Sequence, residues 1–324
     1  MSPRDAILIA GPTASGKSAA AIVLAESIGG TIINADSMQV YRDLAILTAR
    51  PGAADLARVP HRLYGHVAAA VPYSVGLWLA DVRAELDRAR AEGLIPIIAG
   101  GTGLYFDALL NGLSPVPDIP PGVRAHWRAE AHRLGPGLLH RELVARDPQM
   151  AERLKPSDPQ RVTRALEVIA ATGRSLAAWQ RETGTPLLRA EEVRCVKLLP
   201  EREVLYNRCD SRFEAMLRAG AVAEVASLLA QDLPTERPAM RATGVAALAA
   251  HLTGDLTIEV AAARGKLDTR QYAKRQMTWL RGRMTGWTAI EANQPEQAVA
   301  EILRMRPTPS PAAPARLRPS RGRS

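Results

Sequence analysis

The chain has 324 residues, of which 47% are hydrophobic and 23% are charged, enough to build one large or two modest domains with a sizeable core. Its apolar runs are far shorter than the roughly 20 residues of a membrane helix, and its first residues lack the apolar stretch of a secretory signal. We therefore expect a globular cytoplasmic protein without a membrane span. The two cysteines, Cys195 and Cys209, fit no zinc pattern and are expected to be free thiols.

The net charge of +9 is compatible with a polyanionic partner, but much of it lies at the end of the chain. Residues 306–324 contain five arginines, five prolines and no acidic residue. We predict a disordered, basic, proline-rich tail at residues 301–324. A solvated tail without any partner explains this charge equally well, so charge alone does not establish nucleic-acid binding.

Short apolar runs alternate with helical patterns in the first hundred residues. Buried strands are predicted at residues 6–11, 31–35 and 95–99, with helices at 17–28 and 75–90. This β-α-β-α-β order predicts an α/β fold built on a doubly wound parallel sheet. Ligands of such a sheet bind at the carboxyl ends of its strands.

The second part of the chain begins at a proline-rich connector, residues 114–122. The sequence is helical from there to about residue 190, a further strand is predicted at 193–199, and helices follow at 205–219, 221–231 and 268–283. We therefore predict a P-loop core interrupted by an all-helical insert. Its parts are residues 1–116 for the first part of the core, 117–190 for the insert, and 191–300 for core completion with C-terminal helices.

The segment after the first predicted strand is a P-loop, because it matches the phosphate-binding pattern G-x-x-x-x-G-K-[ST]. In such a loop the backbone N–H groups and the helix N-terminus face phosphate oxygens, Lys17 neutralises a terminal phosphate, and the Ser18 hydroxyl can ligate Mg²⁺. The predicted phosphate-binding residues are Gly11, Pro12, Thr13, Ala14, Ser15, Gly16, Lys17 and Ser18.

A P-loop leaves the reaction open, so the other strand ends matter. The strand at 95–99 ends without an acidic residue, unlike the Mg²⁺-binding strand of a typical P-loop ATPase. Asp36 follows the strand at 31–35, and we expect it beside the P-loop. This position favours a general base for an acceptor group, whereas a turn or helix-capping role is the alternative.

Six segments of the chain form a specific combination. They are GPTASGKS (11–18), INADSMQVYRDLAILTARP (33–51), PHRL (60–63), AGGTGLYFDALLNGL (99–113), DPQRVTRALEV (158–168) and TRQYAKRQMTWLR (269–281). Together they resemble the bacterial tRNA dimethylallyltransferase family, and they occur in the family's order over about the first 290 residues.

The resemblance implies a transferase that moves a dimethylallyl group from its diphosphate to the exocyclic amine of the adenine 3′ of the anticodon. It implies Mg²⁺ as cofactor, the tRNA anticodon arm and dimethylallyl diphosphate as partners, and Asp36 as the base. Thr13, Lys17 and Arg212 would stabilise the departing diphosphate. Without the resemblance, a lone helical arginine such as Arg212 reads as a surface charge.

The resemblance also implies which residues contact the anticodon arm. The segment at 160–172 is a predicted helix with an apolar stripe, which leaves its polar residues on other faces, although a solvated basic face is the plainer interpretation. The implied tRNA-binding residues are Asp36, Ser37, Met38, Gln39, Thr102, Arg124, Gln160, Arg161, Val162, Thr163, Arg164, Met240, Arg241, Ala242, Thr243, Gly244 and Val245.

One segment departs from the family pattern. Where the family commonly has a glycine-tyrosine-basic sequence, this chain has Gly244, Val245 and Ala246. The aromatic and cationic contacts expected there are therefore absent, which weakens the assignment of residues 240–245.

Three other functions share parts of this sequence pattern. A small-molecule kinase has the same loop and core but does not explain the helical insert. A prenyltransferase acting on free adenine nucleotides has a similar core but generally lacks so extended an RNA-binding part. A non-catalytic RNA-binding protein with a residual P-loop is at odds with the intact Gly16, Lys17, Ser18 and Asp36. The sequence shows no sign of an obligate protein partner and is compatible with a monomer.

Overall fold

The computed structural model describes residues 6–182, 184–291 and 294–305. The chain divides into two compact units. A helical unit comprises Asn111–Pro186, and the rest of the described chain forms an α/β unit.

The helices and strands that the sequence patterns predict occur in the predicted order, and the structure adds further short helices and strands that were not predicted. The first part of the α/β unit contains β1 (Ala6–Ala10), α1 (Lys17–Ile28), β2 (Gly30–Asn34), α2 (Ala53–Arg58), β3 (His61–Arg62), α3 (Val75–Ala91), β4 (Ile95–Gly100) and α4 (Gly103–Asn111). The helical unit contains α5 (Pro121–Arg146), α6 (Pro148–Ala151), α7 (Pro159–Thr172) and α8 (Leu176–Trp179). The chain then continues with β5 (Val193–Leu198), α9 (Arg202–Arg218), α10 (Ala221–Leu229), α11 (Val245–Leu252), α12 (Ile258–Arg283), β6 (Thr288–Ile290) and α13 (Pro295–Arg304), with 3₁₀ turns at Ala190–Glu192 and Pro238–Arg241.

The six strands of the described chain form one sheet in the order β3-β2-β4-β1-β5-β6. Every pairing is parallel. From β1 the chain runs first to β2, β3 and β4 on one side and later to β5 and β6 on the other, so β1 lies where the strand order reverses. The predicted α/β class is confirmed, and the reversal places a ligand site at the carboxyl end of β1.

The sheet is buried on both faces because β1 alternates its side chains between two apolar cores. Leu8 packs with residues of α3, α4, α9 and α12 on one face. Ile7 and Ile9 pack with residues of α1 and α13 on the other. Both free cysteines, Cys195 and Cys209, are buried in the first of these cores, as expected for thiols that form no disulfide.

The helical unit has its own core, which explains the apolar stripe on α7. Val162, Ala165 and Leu166 are buried with Trp127 and Leu139 of α5. At the start of α7, the Asp158 carboxylate accepts a hydrogen bond of 3.2 Å from the Arg161 N–H, and at its end Gly173 adopts a left-handed conformation with φ 65°. The predicted start of this helix at residues 158–160 is confirmed.

Several predicted boundaries need correction. The compact helical unit is Asn111–Pro186 rather than 117–190, so it includes the proline-rich connector. Helix α12 begins at Ile258, capped by Thr257, and not near residue 268. Helix α13 extends to Arg304, so the predicted tail starts too early, and the remainder of that tail, residues 306–324, lies outside the described residues. None of the described helices has the length and apolar character needed to span a membrane.

Trp78 links α3 to the end of β2. Its side chain is fully buried, its indole N–H donates a hydrogen bond of 2.8 Å to the Asn34 carbonyl, and its ring stacks on Tyr105 at 4.2 Å. This contact fixes the backbone just before Asp36. A buried carbonyl that loses its donor costs about 1–3 kcal/mol.

We therefore expect Trp78→Phe to lower the melting temperature by at least about 2–6 °C, since the indole hydrogen bond is lost and the smaller ring leaves a cavity in this fully buried site. Differential scanning calorimetry provides the measurement. Leu77→Ala is the matched control, because Leu77 lies on the same helix with 50% of its surface exposed. Equal melting temperatures for Trp78→Phe and wild type would show that this hydrogen bond contributes nothing.

Candidate active site

The predicted phosphate-binding loop joins β1 to α1 in a strained conformation. Ala14 and Gly16 both have left-handed backbones, with φ 62° and φ 89°. A side chain at Gly11 would lie only 2.5 Å from the Ser15 hydroxyl oxygen, so glycine is required there. The loop leads into the N-terminus of α1. The first N–H groups of a helix have no partner within the helix and therefore attract anions.

Lys17 lies in the first turn of α1 with its side chain buried inside the loop. Its Nζ donates a hydrogen bond of 3.2 Å to the Pro12 carbonyl. Burial lowers the pKa of Lys17 to about 8; the negative charge of Asp36 opposes this shift and the positive charge of Arg212 adds to it. An anion bound in the loop would therefore stabilise the charged form of Lys17.

Asp36 lies two residues beyond the end of β2 and is held by a local turn. The Asp36 N–H donates to Asn34 Oδ1 at 2.8 Å, and Asp36 Oδ1 accepts a hydrogen bond from the Met38 N–H at 2.9 Å. The turn that was the alternative to catalysis is thus present, but it uses only Oδ1. Oδ2 accepts no hydrogen bond from any described residue and is available to take a proton.

Hydrogen bonds tie together the loops that follow β1, β2 and β4. The Gly11 N–H donates to the Gly100 carbonyl at 3.2 Å, and the Thr102 N–H donates to the Ala35 carbonyl at 3.1 Å. The Ser37 N–H donates to Thr102 Oγ1 at 2.9 Å. The P-loop and Asp36 are therefore held in one fixed arrangement.

Three tyrosines lie near enough to Asp36 to be affected by its charge. Burial, reinforced by the charge of Asp36, raises the pKa of Tyr64, Tyr105 and Tyr272 above the ordinary range. These phenols stay protonated at neutral pH. Among these groups, only Asp36 is suited to accept a proton.

A cleft in the α/β unit brings the P-loop, Asp36 and α9 to one surface. Arg212 has no hydrogen-bond or ion-pair partner among the described residues, whereas the neighbouring Asp210 is paired with Arg270 at 2.5 Å. A partly buried cation without a partner is stabilised by binding an anion. The cleft is lined by Thr13, Asp36, Met38, Leu47, Thr48, Cys209, Arg212, Phe213, Met216, Ala242, Thr243, Thr269 and Tyr272.

A second cleft, of about 560 Å³, lies against the P-loop on the side of Ala14 and Gly16. Its other lining residues come from α9 and include Asn207, Ser211 and Arg212. Arg212 thus lines both clefts beside the loop, and its contact with a diphosphate stays a prediction.

One wall of the first cleft is fixed by a carboxylate on α10. The Glu224 carboxylate accepts hydrogen bonds from the N–H groups of Ala45, Ile46 and Leu47 at 2.6, 2.8 and 2.9 Å. Three bonds from consecutive amides hold the segment that carries Leu47 and Thr48 into the cleft.

The segment that departs from the family pattern packs against the aromatic wall of the cleft. A side chain at Gly244 would lie 3.0 Å from Phe213 and 3.1 Å from Leu47, and one at Gly265 would collide with the Phe213 ring. The Phe213 ring is thus held between two glycines. Val245 is buried in this apolar cluster, so it supplies packing where the family has a tyrosine.

The predicted RNA-binding residues of the α/β unit divide into two groups. Met240, Arg241 and Thr243 are at least partly accessible, and so are Asp36, Ser37, Met38, Gln39 and Thr102. The side chains of Ala242 and Val245 are buried in the apolar cluster around Phe213. For those two positions, and for the tightly packed Gly244, the structure offers no exposed side chain for an RNA contact.

The remaining predicted RNA-binding residues lie in the helical unit. Gln160 and Arg161 are exposed on α7, and Arg124 and Arg164 are half-buried. Val162 is fully buried, and the Thr163 hydroxyl donates to the Pro159 carbonyl at 2.8 Å. Both side chains are therefore committed to the helix and its core, and RNA contact at these two positions stays a prediction.

Sequence reasoning missed the residues of α12 that reach the site. Gln276 is buried between the P-loop and the end of β4, and Tyr272 and Thr269 line the cleft. These residues belong to the segment 269–281, which resembles the family but in which no site residue was predicted. The glutamine within this otherwise basic helical segment was the sequence feature that could have indicated a site residue.

Among the described residues, few side chains are available to bind the expected Mg²⁺. Ser18 is exposed at the N-terminus of α1, and no described residue engages its hydroxyl. No group of three or more histidine, cysteine, aspartate or glutamate side chains within the described ranges could hold a metal by itself.

Family profiles match nearly the whole of the described chain. The profile described as IPP transferase matches residues 39–283. The profile described as Isopentenyl transferase matches residues 4–66, which include the P-loop and Asp36.

Similar proteins are named consistently. A tRNA dimethylallyltransferase from Nitrobacter hamburgensis is 54% identical over 307 residues, 94% of this chain and 95% of that protein. One from Rhodopseudomonas palustris is 57% identical over 276 residues, 85% of this chain and 87% of that protein.

Solved structures agree with these sequence matches. The tRNA isopentenylpyrophosphate transferase of Bacillus halodurans has 30% identity and a TM-score of 0.66, with 92% of this chain and 94% of that chain covered. A eukaryotic dimethylallyltransferase described as acting on tRNA has 29% identity and a TM-score of 0.72, with 85% of this chain and 69% of that chain covered.

The parallel sheet, the P-loop and the carboxylate beside it define a P-loop transferase. The resemblance noted in the sequence is confirmed by these matches. The chain belongs to the tRNA dimethylallyltransferase family.

The lowered pKa of Lys17 makes anion binding pH-dependent. In the free protein Lys17 loses its proton around pH 8, well below its ordinary pKa of 10.5. A bound diphosphate favours the charged form and raises that pKa, so binding at about pH 8.5 should take up protons and weaken as the pH rises further.

Calorimetric titration with inorganic diphosphate in two buffers of different ionisation enthalpy measures this proton uptake. Lys17→Arg is the control, because arginine stays charged throughout the range while the ionisation of the ligand is common to both proteins. We expect less proton uptake for Lys17→Arg than for wild type. Identical uptake would mean that Lys17 does not titrate with the ligand.

Proposed function

We propose that this chain transfers a dimethylallyl group from dimethylallyl diphosphate to the exocyclic amine of the adenine 3′ of the anticodon in tRNA, with release of diphosphate. The observation that carries the proposal is the shared cleft, which is lined by Asp36, by Thr13 of the P-loop and by Arg212. A base and a cradle for a leaving anion are the two things that this reaction needs.

The P-loop would hold the diphosphate through the N–H groups at the start of α1 and through Lys17. Arg212 would approach it from α9, and Thr13 would contribute its hydroxyl from the cleft wall. As the bond between the allylic carbon and oxygen breaks, its electron pair leaves with the diphosphate. These fixed donors meet the growing negative charge without reorganising, which is the main source of such stabilisation.

The adenine amine would supply the electron pair of the new carbon–nitrogen bond. Its lone pair is delocalised into the ring, so the amine is a weak nucleophile until it loses a proton. Asp36 Oδ2 would take that proton as the bond forms. The turn that holds Oδ1 keeps the carboxylate aimed into the cleft.

A magnesium ion fits the same site through hard oxygen ligands. Mg²⁺ is usually bound by one or two protein oxygens together with substrate phosphates. The Ser18 hydroxyl, at the N-terminus of α1, would be such a protein ligand. When bound, the ion would offset the charge of the diphosphate. Lys17 and Arg212 would add their positive charge to this neutralisation.

The tRNA would be held by its anticodon arm. The accessible candidates for this contact are Ser37, Met38, Gln39, Thr102, Met240, Arg241 and Thr243 in the α/β unit and Arg124, Gln160, Arg161 and Arg164 in the helical unit. Polar and cationic side chains of this kind bind phosphates and bases. The target adenine has to leave the base stack before its amine can meet Asp36.

The proposal is tested with purified protein, Mg²⁺, dimethylallyl diphosphate and an unmodified tRNA that carries adenines 3′ of the anticodon. Mass spectrometry of the digested tRNA scores prenyl addition, and free AMP and ATP are offered in parallel. We expect prenylated tRNA only. Prenylation of AMP without tRNA would favour the nucleotide-modifying alternative, and phosphate transfer from ATP would favour a kinase.

Asp36→Asn tests the base while keeping the turn, because the asparagine oxygen can still accept the Met38 hydrogen bond. We expect kcat to fall by about 10²–10⁴-fold, the usual contribution of a general base, with little change in tRNA affinity. Single-turnover kinetics and filter binding give the two values. A variant that prenylates at the wild-type rate would exclude Asp36 as the base.

A further inference from the structure

Gln276 is the one side chain of α12 that hydrogen-bonds the P-loop among the described residues. It is 6% exposed, and its amide bridges two loops at the carboxyl end of the sheet. Its Oε1 accepts a hydrogen bond of 2.8 Å from the Thr13 N–H, and its Nε2 donates one of 2.9 Å to the Gly101 carbonyl. One partner can only donate and the other can only accept, so the amide has a single satisfactory orientation.

The bridge has little freedom to move. A side chain at Gly101 would collide with Gln276 Nε2 and would also come within 3.4 Å of Asp36 Oδ2. The glutamine amide therefore packs directly against the Gly101 backbone, within one residue of Thr102. Thr102 in turn bonds the backbone of Ala35 and Ser37, on either side of Asp36.

Gln276 thus connects the two halves of the proposed chemistry. On one side it holds the backbone of Thr13, the P-loop residue that lines the cleft with Asp36. On the other it holds the Gly101–Thr102 segment that supports Asp36. We propose that Gln276 is a positioning residue, which sets the distance between the general base and the diphosphate and thereby the rate of prenyl transfer.

This inference rests on the proposed function, because it assigns Gln276 a part in that reaction. The Thr13 N–H is bonded to protein and so is not a donor to the diphosphate. Loss of Gln276 should therefore affect the alignment of reacting groups more than the binding of either substrate. A misalignment of about 1 Å can lower a rate about 100-fold.

The first test is Gln276→Ala. We expect kcat for tRNA prenylation to fall about 10- to 100-fold, with less than about a threefold change in KM for dimethylallyl diphosphate and in tRNA affinity. Gln297→Ala is the matched control, since Gln297 is exposed on α13, which packs on the opposite face of the sheet. A folded Gln276→Ala enzyme with wild-type kcat would overturn the proposal, as would a loss confined to KM.

Gln276→Glu gives a readout that a general packing role would not produce. The neutral carboxylic acid can both accept from Thr13 N–H and donate to the Gly101 carbonyl, whereas the carboxylate cannot donate and repels that carbonyl. Burial raises carboxyl pKa values, to about 8–9 in extreme cases. Relative to wild type, the kcat of Gln276→Glu should therefore fall as the pH rises between about 6 and 9, and a constant ratio would contradict the bridge.

Hydrogen exchange separates this proposal from the proposed function. The Thr13 N–H loses its buried acceptor in Gln276→Ala, so we expect the P-loop peptide to exchange at least about tenfold faster than in wild type or Gln297→Ala. If wild-type protein prenylates no tRNA, the proposed function fails and so does the catalytic role of Gln276, while the bridge itself is still decided by this exchange rate. Unchanged exchange would refute the bridge even in an active enzyme.

Discussion

Three adjacent parallel strands end at the same edge of the sheet, and the loops that follow them are tied to one another by hydrogen bonds. The loop after β1 binds the end of β4, and the residues after β4 bind those after β2. This constraint decides where every other group of the site lies, because it places the P-loop and Asp36 at fixed positions before any substrate arrives. Preorganisation of this kind is what makes fixed charges effective in catalysis.

The charges at this edge favour the binding of an anion. Lys17 and Arg212 are buried or half-buried cations, and Arg212 has no carboxylate partner within the described part of the chain. Burial lowers the pKa of both. The free protein thus holds two cations at some cost, and a bound diphosphate would remove that cost. Asp36 lines the same cleft as Arg212, and its Oδ2 accepts no hydrogen bond from any described residue.

The fold could be predicted because its signals are local. About ten consecutive residues are enough to recognise each of them: the apolar strands, the glycine-rich loop and the capped helix α7. The two- and three-residue strands β3 and β6 are too short to show a pattern. The position of Asp36 beside the P-loop also followed from the strand order.

The contacts of α12 with the site could not be predicted in this way. Gln276 and Thr13 are 263 residues apart, and no local pattern reports a hydrogen bond over that distance. The same holds for the Phe213 ring between Gly244 and Gly265. The burial of single residues also could not be predicted within the segment that is expected to bind RNA, so Val162 and Thr163 were grouped with the exposed polar residues beside them.

The central claim is that the P-loop holds a diphosphate as a leaving group. The most direct measurement counts diphosphate, orthophosphate and prenylated adenosine in one reaction of pure enzyme, tRNA and dimethylallyl diphosphate. We expect one diphosphate to be released for each adenosine modified, with no orthophosphate and no requirement for ATP. Release of orthophosphate, or of diphosphate without a matching gain of prenylated adenosine, would contradict it.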